Sequence, residues 1–241
     1  MRMRKRPNTK PRMERCESVW IKEPKELQGK WIETLMPEAK ELHLEVGCGK
    51  GKFTVETAKQ NPDVLLIAIE KVPDALVVAM ELARNEGVKN VYFISEDATE
   101  LCEIFEQGEL DRIYLNFCDP WPRKKNAKRR LTYRTFLNKY AWILRDQGEI
   151  HFKTDNAKLF EFSLEEFEET KYELRNVTRN LHENGPVGIM TGYEERFYEL
   201  GTPINRCEAI PTQRPAEKPV DPVWERPEAD DASDDSDDEE E

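Results

Sequence analysis

Short apolar runs alternate along the chain with longer segments in which apolar residues recur at helical spacing. Between residues 41 and 155 this alternation predicts strands and helices that take turns, which is typical of a parallel sheet with helices on both faces. The predicted strands cover residues 42–46, 64–69, 91–94, 110–118 and 149–153. The predicted helices cover residues 52–60, 73–86, 98–106, 132–144 and 156–169.

Two further runs, at residues 172–177 and 196–200, also have the composition of strands, and the gap between them allows an antiparallel pair. The pattern therefore predicts an α/β fold. Its seven-stranded sheet is mostly parallel, carries helices on both faces and ends in an antiparallel last strand.

Charge is concentrated at the two ends of the chain. The first fifteen residues carry seven Lys or Arg and one acid, whereas the last thirteen carry nine acids and no base. The formal net charge of the whole chain is −12. Prolines at 215, 219, 222 and 227 lie ahead of that acidic run. We therefore expect a basic arm over residues 1–30, one domain over 31–211, and a Pro-rich, acidic disordered tail over 212–241.

The five cysteines, at 16, 48, 102, 118 and 207, form no CxxC pair and have no histidine at zinc-ligand spacing. This pattern predicts no metal site and no disulfide framework, and it favours the reducing cytoplasm. We also expect no membrane span and no secretory signal, because the sequence has no apolar run of the length either requires.

A glycine-rich turn follows Glu45 and joins the first predicted strand to the first predicted helix, with glycines at 47, 49 and 51. Such a turn lets a ligand approach the backbone. The third glycine of a dinucleotide fingerprint would fall at position 52, which is lysine, so the spacing disfavours an NAD-type site. The carboxylate of Glu45 repels a pyrophosphate but attracts an ammonium or sulfonium group.

Acidic residues lie at or just after the ends of four successive predicted strands: Glu45, Glu70, Asp97 and Asp119. Glu70 stands where a carboxylate accepts hydrogen bonds from both hydroxyls of a ribose, and Asp97 is placed either to bind the amine of adenine or to cap a helix. Carboxyl ends of parallel strands meet at one edge of a sheet. Four acids at that edge suit a cationic adenosine-containing ligand without phosphates, and S-adenosylmethionine is the obvious one.

The segment 119–130 places Asp119, two prolines and Trp121 directly ahead of six cations in eight positions. Pro120 and Pro122 favour extended backbone at the residues that precede them. The cations have the wrong sign for the start of a helix, so helix stability does not explain them. They form either a solvated charged turn or a clamp for phosphates. Trp121 either stacks on a base or covers the end of the sheet.

Three motifs resemble the bacterial tRNA (guanine-N7-)-methyltransferase family, whose members are S-adenosylmethionine-dependent enzymes with the Rossmann-like class I methyltransferase fold. They are Asp119-Pro120-Trp121-Pro122 with its basic run, Lys153-Thr154-Asp155-Asn156, and Thr191-Gly192-Tyr193-Glu194. The resemblance extends over about residues 42–200. The glycine turn by itself would indicate only the superfamily.

The resemblance implies methyl transfer to N7 of the guanosine at position 46, in the variable loop of tRNA. The cofactor-binding residues that it implies are Glu45, Glu70, Asp97 and Asp119, of which Asp119 is also the expected catalytic residue. The glycine turn adds Gly47 and Gly49 to the expected cofactor-binding residues. The implied substrate-binding residues are Arg123, Asp155, Thr191, Gly192, Tyr193 and Glu194. The implied RNA-binding residues are Lys125, Asn126, Ala127, Lys128, Arg129 and Arg130.

Two positions depart from the family pattern: Arg123 stands where Lys is usual, and Asn126 where His is usual. Arg123 keeps the charge but offers a planar fork of donors, and Asn126 removes a group that titrates near neutrality. Guanine N7 carries a lone pair and no proton, so its methylation needs no general base. We expect Asp119 and Asp155 to orient the guanine.

Two other functions are compatible with these residues. One is methylation of another nucleobase atom, although enzymes that modify exocyclic amines typically carry a Pro-Pro-aromatic turn at this strand end. The other is a non-catalytic RNA-binding module with an inherited fold, which the four cofactor acids disfavour. For the favoured function we expect tRNA as the partner, no metal, and a monomer or homodimer.

Overall fold

The computed structural model describes residues 8–220, so Met1–Pro7 and most of the predicted acidic tail lie outside the described residues. Within residues 8–220 eight strands form one sheet. They are β1 (Trp20–Ile21), β2 (Glu41–Val46), β3 (Val64–Ile69), β4 (Val91–Ile94), β5 (Leu110–Asn116), β6 (Leu144–Thr154), β7 (Tyr172–Thr178) and β8 (Asn205–Pro211).

Helices lie on both faces of this sheet. The α-helices are α1 (Thr9–Glu14), α2 (Trp31–Leu35), α3 (Lys52–Gln60), α4 (Pro73–Asn85), α5 (Leu101–Ile104), α6 (Arg134–Ile143), α7 (Ala157–Glu169) and α8 (Gly192–Glu199). Short 3₁₀ helices cover Glu17–Val19, Pro24–Leu27, Ala98–Glu100 and Lys124–Arg129. No helix in this part of the chain combines the length and the apolar character needed to cross a membrane.

The strand order is β1-β4-β3-β2-β5-β6-β8-β7. Every pairing among β1 to β6 is parallel, whereas β8 is antiparallel to both of its neighbours, as predicted for the last strand. From β2 the chain proceeds to β3 and β4 on one side and later to β5 and β6 on the other. The sheet therefore has its topological switch point at β2 and β5, where open α/β sheets bind ligands.

Successive strand residues face opposite helix layers, because the side-chain repeat of a strand is two residues. Leu42 and Leu44 pack in one apolar cluster with α5, α6 and α7, whereas Leu66 and Ala68 pack in the other with α1, α3 and α4. The central strands are buried on both faces, which accounts for their nearly continuous apolar sequence.

Two of the strand predictions are wrong. The sheet has eight strands rather than seven, because the two residues of β1 pair with β4 and are too short to give a periodic signal. Residues 196–200 do not form a strand, since most of them lie in α8. The antiparallel partner of β7 is β8, where Cys207 and Ala209 are fully buried.

The segment Thr9–Leu27, inside the predicted basic arm, is folded against the sheet. Met13 and Cys16 are buried in the cluster that contains α4, and Arg12 forms a 2.6 Å ion pair with Glu81. Together with the β1–β4 pairing, these contacts attach the described part of the arm to the outer edge of the sheet.

Candidate active site

The glycine turn between β2 and α3 uses its glycines in two ways. Gly47, Gly49 and Gly51 have φ angles of +80°, +56° and +79°. A Cβ atom at Gly51 would lie 2.5 Å from the Cβ of Ala79, so Gly51 permits close packing of α3 on α4. A Cβ atom at Gly47 or Gly49 would meet nothing within 4 Å. These two glycines therefore face open space that a ligand can enter.

Glu45 is the buried acid at the end of β2, with 2% of its surface exposed. Its carboxylate accepts hydrogen bonds from Thr54 Oγ1 at 2.5 Å and from Asn116 Nδ2 at 3.1 Å. Burial raises the pKa of Glu45, and these two bonds and the charge of Lys153 oppose the rise. Glu45 thereby links β2, α3 and β5 at the switch point.

Glu70 and Asp97 follow β3 and β4 and are each positioned by backbone donors. Glu70 accepts the N–H of Gly49 at 3.0 Å and the N–H of Val72 at 2.9 Å, one on each carboxylate oxygen. Asp97 caps the 3₁₀ helix that follows it by accepting the N–H of Thr99 at 3.0 Å, so the helix-cap interpretation of Asp97 is correct. Each carboxylate oxygen has two lone pairs, so both side chains keep acceptor capacity for a ligand.

The end of β5 departs from extended backbone earlier than predicted. The strand stops at Asn116, because Phe117 has a φ of +51°. Trp121 has a φ of +43°, so the expectation of extended backbone before Pro122 is wrong there. These two left-handed residues lie on either side of Asp119, whose side chain is exposed.

Asp155 follows β6 at the start of α7. The hydroxyl of Thr154 accepts the N–H of Asn156 at 3.1 Å, and the side chain of Asn156 caps α7 by accepting the N–H of Leu159 at 2.8 Å. Because β5 and β6 are paired neighbours, Asp119 and Asp155 stand after the ends of adjacent strands, as predicted.

The segment Thr191–Glu194 starts a helix rather than leading into a strand. Thr191 and Glu194 form a reciprocal capping box at the first turn of α8. Glu194 is completely buried. Its Oε2 accepts from Lys153 Nζ at 2.6 Å and from the N–H of Thr191 at 3.1 Å, and its Oε1 lies 3.0 Å from His182 Nε2. Both oxygens of Glu194 are thus occupied by the protein itself.

Lys153 and His182 complete this buried cluster. Burial lowers the pKa of Lys153, and the contact with Glu194 opposes the decrease. His182 Nδ1 accepts the N–H of Val187 at 3.1 Å, so Nε2 carries the proton that is donated to Glu194. The cluster therefore attaches the start of α8 to the end of β6.

Helix α8 is also held against the glycine turn and the end of β5. The rings of Phe117 and Phe197 stack with centroids 6.0 Å apart, and Lys52 at the start of α3 is paired with Glu195. The exposed ring of Tyr193 projects from the first turn of the helix. The structure thus brings Thr191, Gly192, Tyr193 and Glu194 to the edge that carries the acids.

The cationic segment after Asp119 forms a short 3₁₀ helix, Lys124–Arg129. Arg123, Lys124, Lys125, Lys128 and Arg129 are exposed, whereas Asn126 and Ala127 are half-buried. The guanidinium of Arg129 lies 5.0 Å from the ring centroid of Trp121. Three of the six predicted RNA-binding residues, Lys125, Lys128 and Arg129, are thus exposed beside Asp119, together with Arg123 and Lys124.

Two cavities differ in their relation to these acids. A cavity of about 600 Å³ is lined by Met36, Pro62 and Lys89, ahead of β2, β3 and β4, at the edge opposite the acids. A cavity of about 220 Å³ lies between α3 and residues 181–189, and Asn116 and Lys153 line it. We assign the site to the acids' edge despite the larger opposite cavity, because parallel sheets bind ligands beyond the carboxyl ends of their strands.

Glu149, His151 and Glu208 form a polar cluster on the face of the sheet, with potential metal-ligand atoms within 4.8 Å of one another. Glu149 is also paired with Arg112 at 2.7 Å, and Glu208 with Arg206. Because the arginines already neutralise both carboxylates, we interpret the cluster as an ion-pair network.

Comparison with known proteins identifies the family. A family model described as "Putative methyltransferase" matches residues 39–207. A tRNA (guanine-N(7)-)-methyltransferase of Exiguobacterium sp. is 46% identical over 211 residues, covering 87% of this chain and 98% of that protein. The enzyme of the same name from Bacillus velezensis is 44% identical over 209 residues, covering 86% and 96%. This chain belongs to the tRNA (guanine-N7-)-methyltransferase family.

The fold agrees with that membership. The solved structure of the 16S rRNA methyltransferase KamB superimposes with a TM-score of 0.56 at 16% identity, covering 78% of this chain and 94% of that one. At that identity the likeness concerns the fold alone, and it confirms the predicted class I methyltransferase architecture. As a member of the tRNA (guanine-N7-)-methyltransferase family, the protein is an enzyme that uses S-adenosylmethionine as methyl donor.

The site residues of this tRNA methyltransferase fit that donor. Gly47 and Gly49 leave space beside the turn, Glu70 is fixed next to Gly49, and no phosphate-binding fingerprint is present. Sequence reasoning missed the side chains that hydrogen-bond the buried carboxylates of Glu45 and Glu194. They are Thr54, Asn116, Lys153 and His182. Lys153 had a detectable signal, since a lysine in an apolar strand needs a buried partner. Such a signal does not identify the partner.

Proposed function

We propose that the protein transfers the methyl group of S-adenosylmethionine to N7 of guanosine 46, in the variable loop of tRNA. One observation supports this most strongly. The acids that follow β3, β4, β5 and β6 share the carboxyl edge of the sheet with the exposed cationic segment, and Asp119 begins the same connection. A donor site and an RNA-binding surface are therefore adjacent.

The cofactor roles that we propose follow the sequence of strands. Glu70 accepts the ribose hydroxyls, Asp97 accepts the adenine amine with the acceptor capacity left after capping, and Gly47 and Gly49 give access to the backbone. Asp119 and Glu45 supply negative charge toward the cationic end of the donor. Glu45 acts through its charge from a buried position below the glycine turn, because its two carboxylate oxygens already accept hydrogen bonds from Thr54 and Asn116.

S-adenosylmethionine supplies a methyl group that is activated by the positive charge on sulfur. The in-plane lone pair of guanine N7 forms the new N–C bond as the C–S bond breaks, and no proton moves at N7. The protein therefore has to hold the two reactants in line and stabilise the charge that arrives on the purine. Asn126, which stands where relatives usually have histidine, is compatible with this reaction because no general base is needed.

The guanine is recognised by Asp119 and Asp155 in this proposal. Guanine presents N1–H and amino donors where adenine does not, and two carboxylates after adjacent strands can accept both. Each good bidentate pairing of this kind contributes about 1–3 kcal/mol of discrimination. Arg123, Thr191, Gly192 and Tyr193 border the same edge and contact the substrate around the base. Glu194 fixes the position of this segment through its buried contacts with Lys153 and His182.

The exposed cations Lys125, Lys128 and Arg129, with Asn126 and Ala127 between them, bind the phosphate backbone of the tRNA. We place the reaction in the cytoplasm.

Nucleoside mapping after incubation of unmodified tRNA with the protein and methyl-labelled S-adenosylmethionine tests the proposal. We expect the label in 7-methylguanosine at position 46. Asp119→Asn should lower the single-turnover rate roughly 10- to 100-fold, since it weakens a contact of about 1–3 kcal/mol. Asp146→Asn, at an acid that is 94% exposed and distant from the site, is the matched control. Label on an exocyclic amine would indicate a different nucleobase methyltransferase, and cofactor binding without transfer would indicate a non-catalytic module.

A further inference from the structure

Arg130 binds the backbone of the loop through its side chain, whereas the guanidinium of Arg129 lies over the ring of Trp121. The Nε of Arg130 donates to the carbonyl oxygen of Pro120 at 2.9 Å, and its Nη2 donates to the carbonyl oxygen of Trp121 at 3.0 Å. Its guanidinium also lies 4.2 Å from the ring centroid of Phe162 in α7. The side chain is half-buried, whereas its neighbour Arg129 is exposed.

The backbone of the loop that Arg130 binds has few hydrogen-bond donors of its own. Pro120 and Pro122 have no N–H to donate. Trp121 has a φ of +43°, a conformation that is unfavourable for a bulky residue and persists only where the surroundings enforce it. Two carbonyl groups held by one planar guanidinium provide that support.

The segment that carries Arg130 is itself anchored on α7. The hydroxyl of Thr132 hydrogen-bonds that of Ser163 at 2.7 Å, and the ring of Tyr133 stacks over Phe162 with centroids 6.4 Å apart. The backbone N–H of Arg134 donates to the buried carboxylate of Glu166 at 2.6 Å. Arg130 therefore connects the loop to a rigid helix.

We propose that Arg130 is a positioning residue, which holds the Asp119–Pro122 turn against α7 and thereby places Asp119, instead of binding a tRNA phosphate with the rest of the cationic segment. The consequence for catalysis rests on the function proposed above, since the turn matters there because it carries Asp119. The structural part of the inference does not depend on that function.

Arg130→Lys separates the two roles. Lysine keeps the charge, so a phosphate contact survives, but its single ammonium cannot reproduce a planar fork directed at two carbonyls and stacked on a ring. Arg179→Lys is the matched control. Arg179 also binds α7, through two bonds to Glu161 at 2.9 and 3.0 Å, but it is distant in sequence from the loop.

Hydrogen exchange of the full-length protein without RNA is the first measurement. We expect Arg130→Lys to increase amide exchange across residues 117–129, whereas Arg179→Lys leaves that segment as in the parent protein. Unchanged exchange in Arg130→Lys would overturn the inference. This result does not depend on methyl transfer, so failure of the proposed function and failure of this inference are distinguishable.

The second measurement compares tRNA affinity across salt concentrations with the single-turnover rate at saturating tRNA. For Arg130→Gln we expect an unchanged salt slope and a rate lowered roughly tenfold or more, since a displaced catalytic group costs that much. Lys125→Gln is the positive control, whose slope should fall by about 1. A slope lowered by about 1 in Arg130→Gln, with the rate at saturation retained, would show a phosphate contact instead. Where Arg130→Gln does not fold, the rate of Arg130→Lys at saturating tRNA is measured in its place, and a rate equal to that of the parent protein would overturn the inference.

Discussion

At the scale of single residues, the site combines exposed groups that meet ligands with buried groups that hold them. Asp119 and Tyr193 are exposed, whereas Glu194 is completely buried and Lys153 is 8% exposed. Charged groups are rarely buried unless they are paired, because removal from water is costly. The Lys153–Glu194 contact at 2.6 Å satisfies that condition.

Replacing only Lys153 should be more costly than replacing both partners of this pair. We expect Lys153→Met to lower the free energy of unfolding by about 3–5 kcal/mol, because it leaves the Glu194 carboxylate buried without its cation. Adding Glu194→Gln should recover part of the loss. Urea unfolding measures both variants. Lys40→Met, at an exposed pair with Asp63, is the control and should change stability little. Equal losses in the two lysine variants would contradict a special role for burial.

At the scale of elements, the glycine turn shows how one loop packs helices and also receives a ligand. Gly51 faces Ala79 of α4, and Gly49 faces open space, although both have left-handed backbone. The same substitution therefore has different consequences at the two positions.

We expect Gly51→Ala to destabilise the fold more than Gly49→Ala does. Both carry the cost of a left-handed alanine, about 1–2 kcal/mol, but only the former forces a methyl group to within 2.5 Å of Ala79 Cβ. Gly49→Ala should instead weaken S-adenosylmethionine binding, because its methyl group enters the ligand space. Urea unfolding and calorimetric titration check the two effects. A larger stability loss in Gly49→Ala would show that the turn is oriented differently.

Helix α8 shows why some elements were predicted wrongly. Its aromatic residues Phe197 and Tyr198 favour a strand by composition, although Thr191 and Glu194 have the capping-box spacing that marks a helix start. The short-range signal was present in the sequence. The aromatic composition outweighs that spacing in a sequence-based prediction, and spacing does not indicate the buried cluster around Glu194.

At the scale of the whole molecule, a row of polar groups crosses the face of the sheet and couples stability to pH. His43 lies in this row and is 2% exposed, with Glu41, Tyr114, Arg112 and His151 around it. Burial lowers the pKa of His43 to about 4, and the hydrogen bond with Glu41 only partly opposes it.

The depressed pKa of His43 predicts acid sensitivity. The unfolded histidine titrates near 6.5 and the folded one near 4, so the unfolded chain binds the extra proton between these values. The contribution of neutral His43 to the free energy of unfolding is complete above pH 6.5. It falls by roughly 2–3 kcal/mol as the pH decreases toward 4. Urea unfolding from pH 7 to pH 4 measures the loss, and His43→Gln should reduce it. An identical pH dependence in His43→Gln would assign the effect to other groups.

The sequence by itself determined the alternating α/β order, the parallel central strands, the glycine turn and the acids at the ends of the central strands. These features depend on local spacing and on the period of apolar residues, which a single chain displays directly. Only the tertiary structure decided that residues 196–200 lie mostly in a helix, that Glu194 is buried with Lys153 and His182, and that Arg130 binds the loop carrying Asp119. These contacts of Glu194 and Arg130 join residues 9 to 41 positions apart. Which polar group meets which is set by how strands and helices pack, and spacing along the chain does not contain that information.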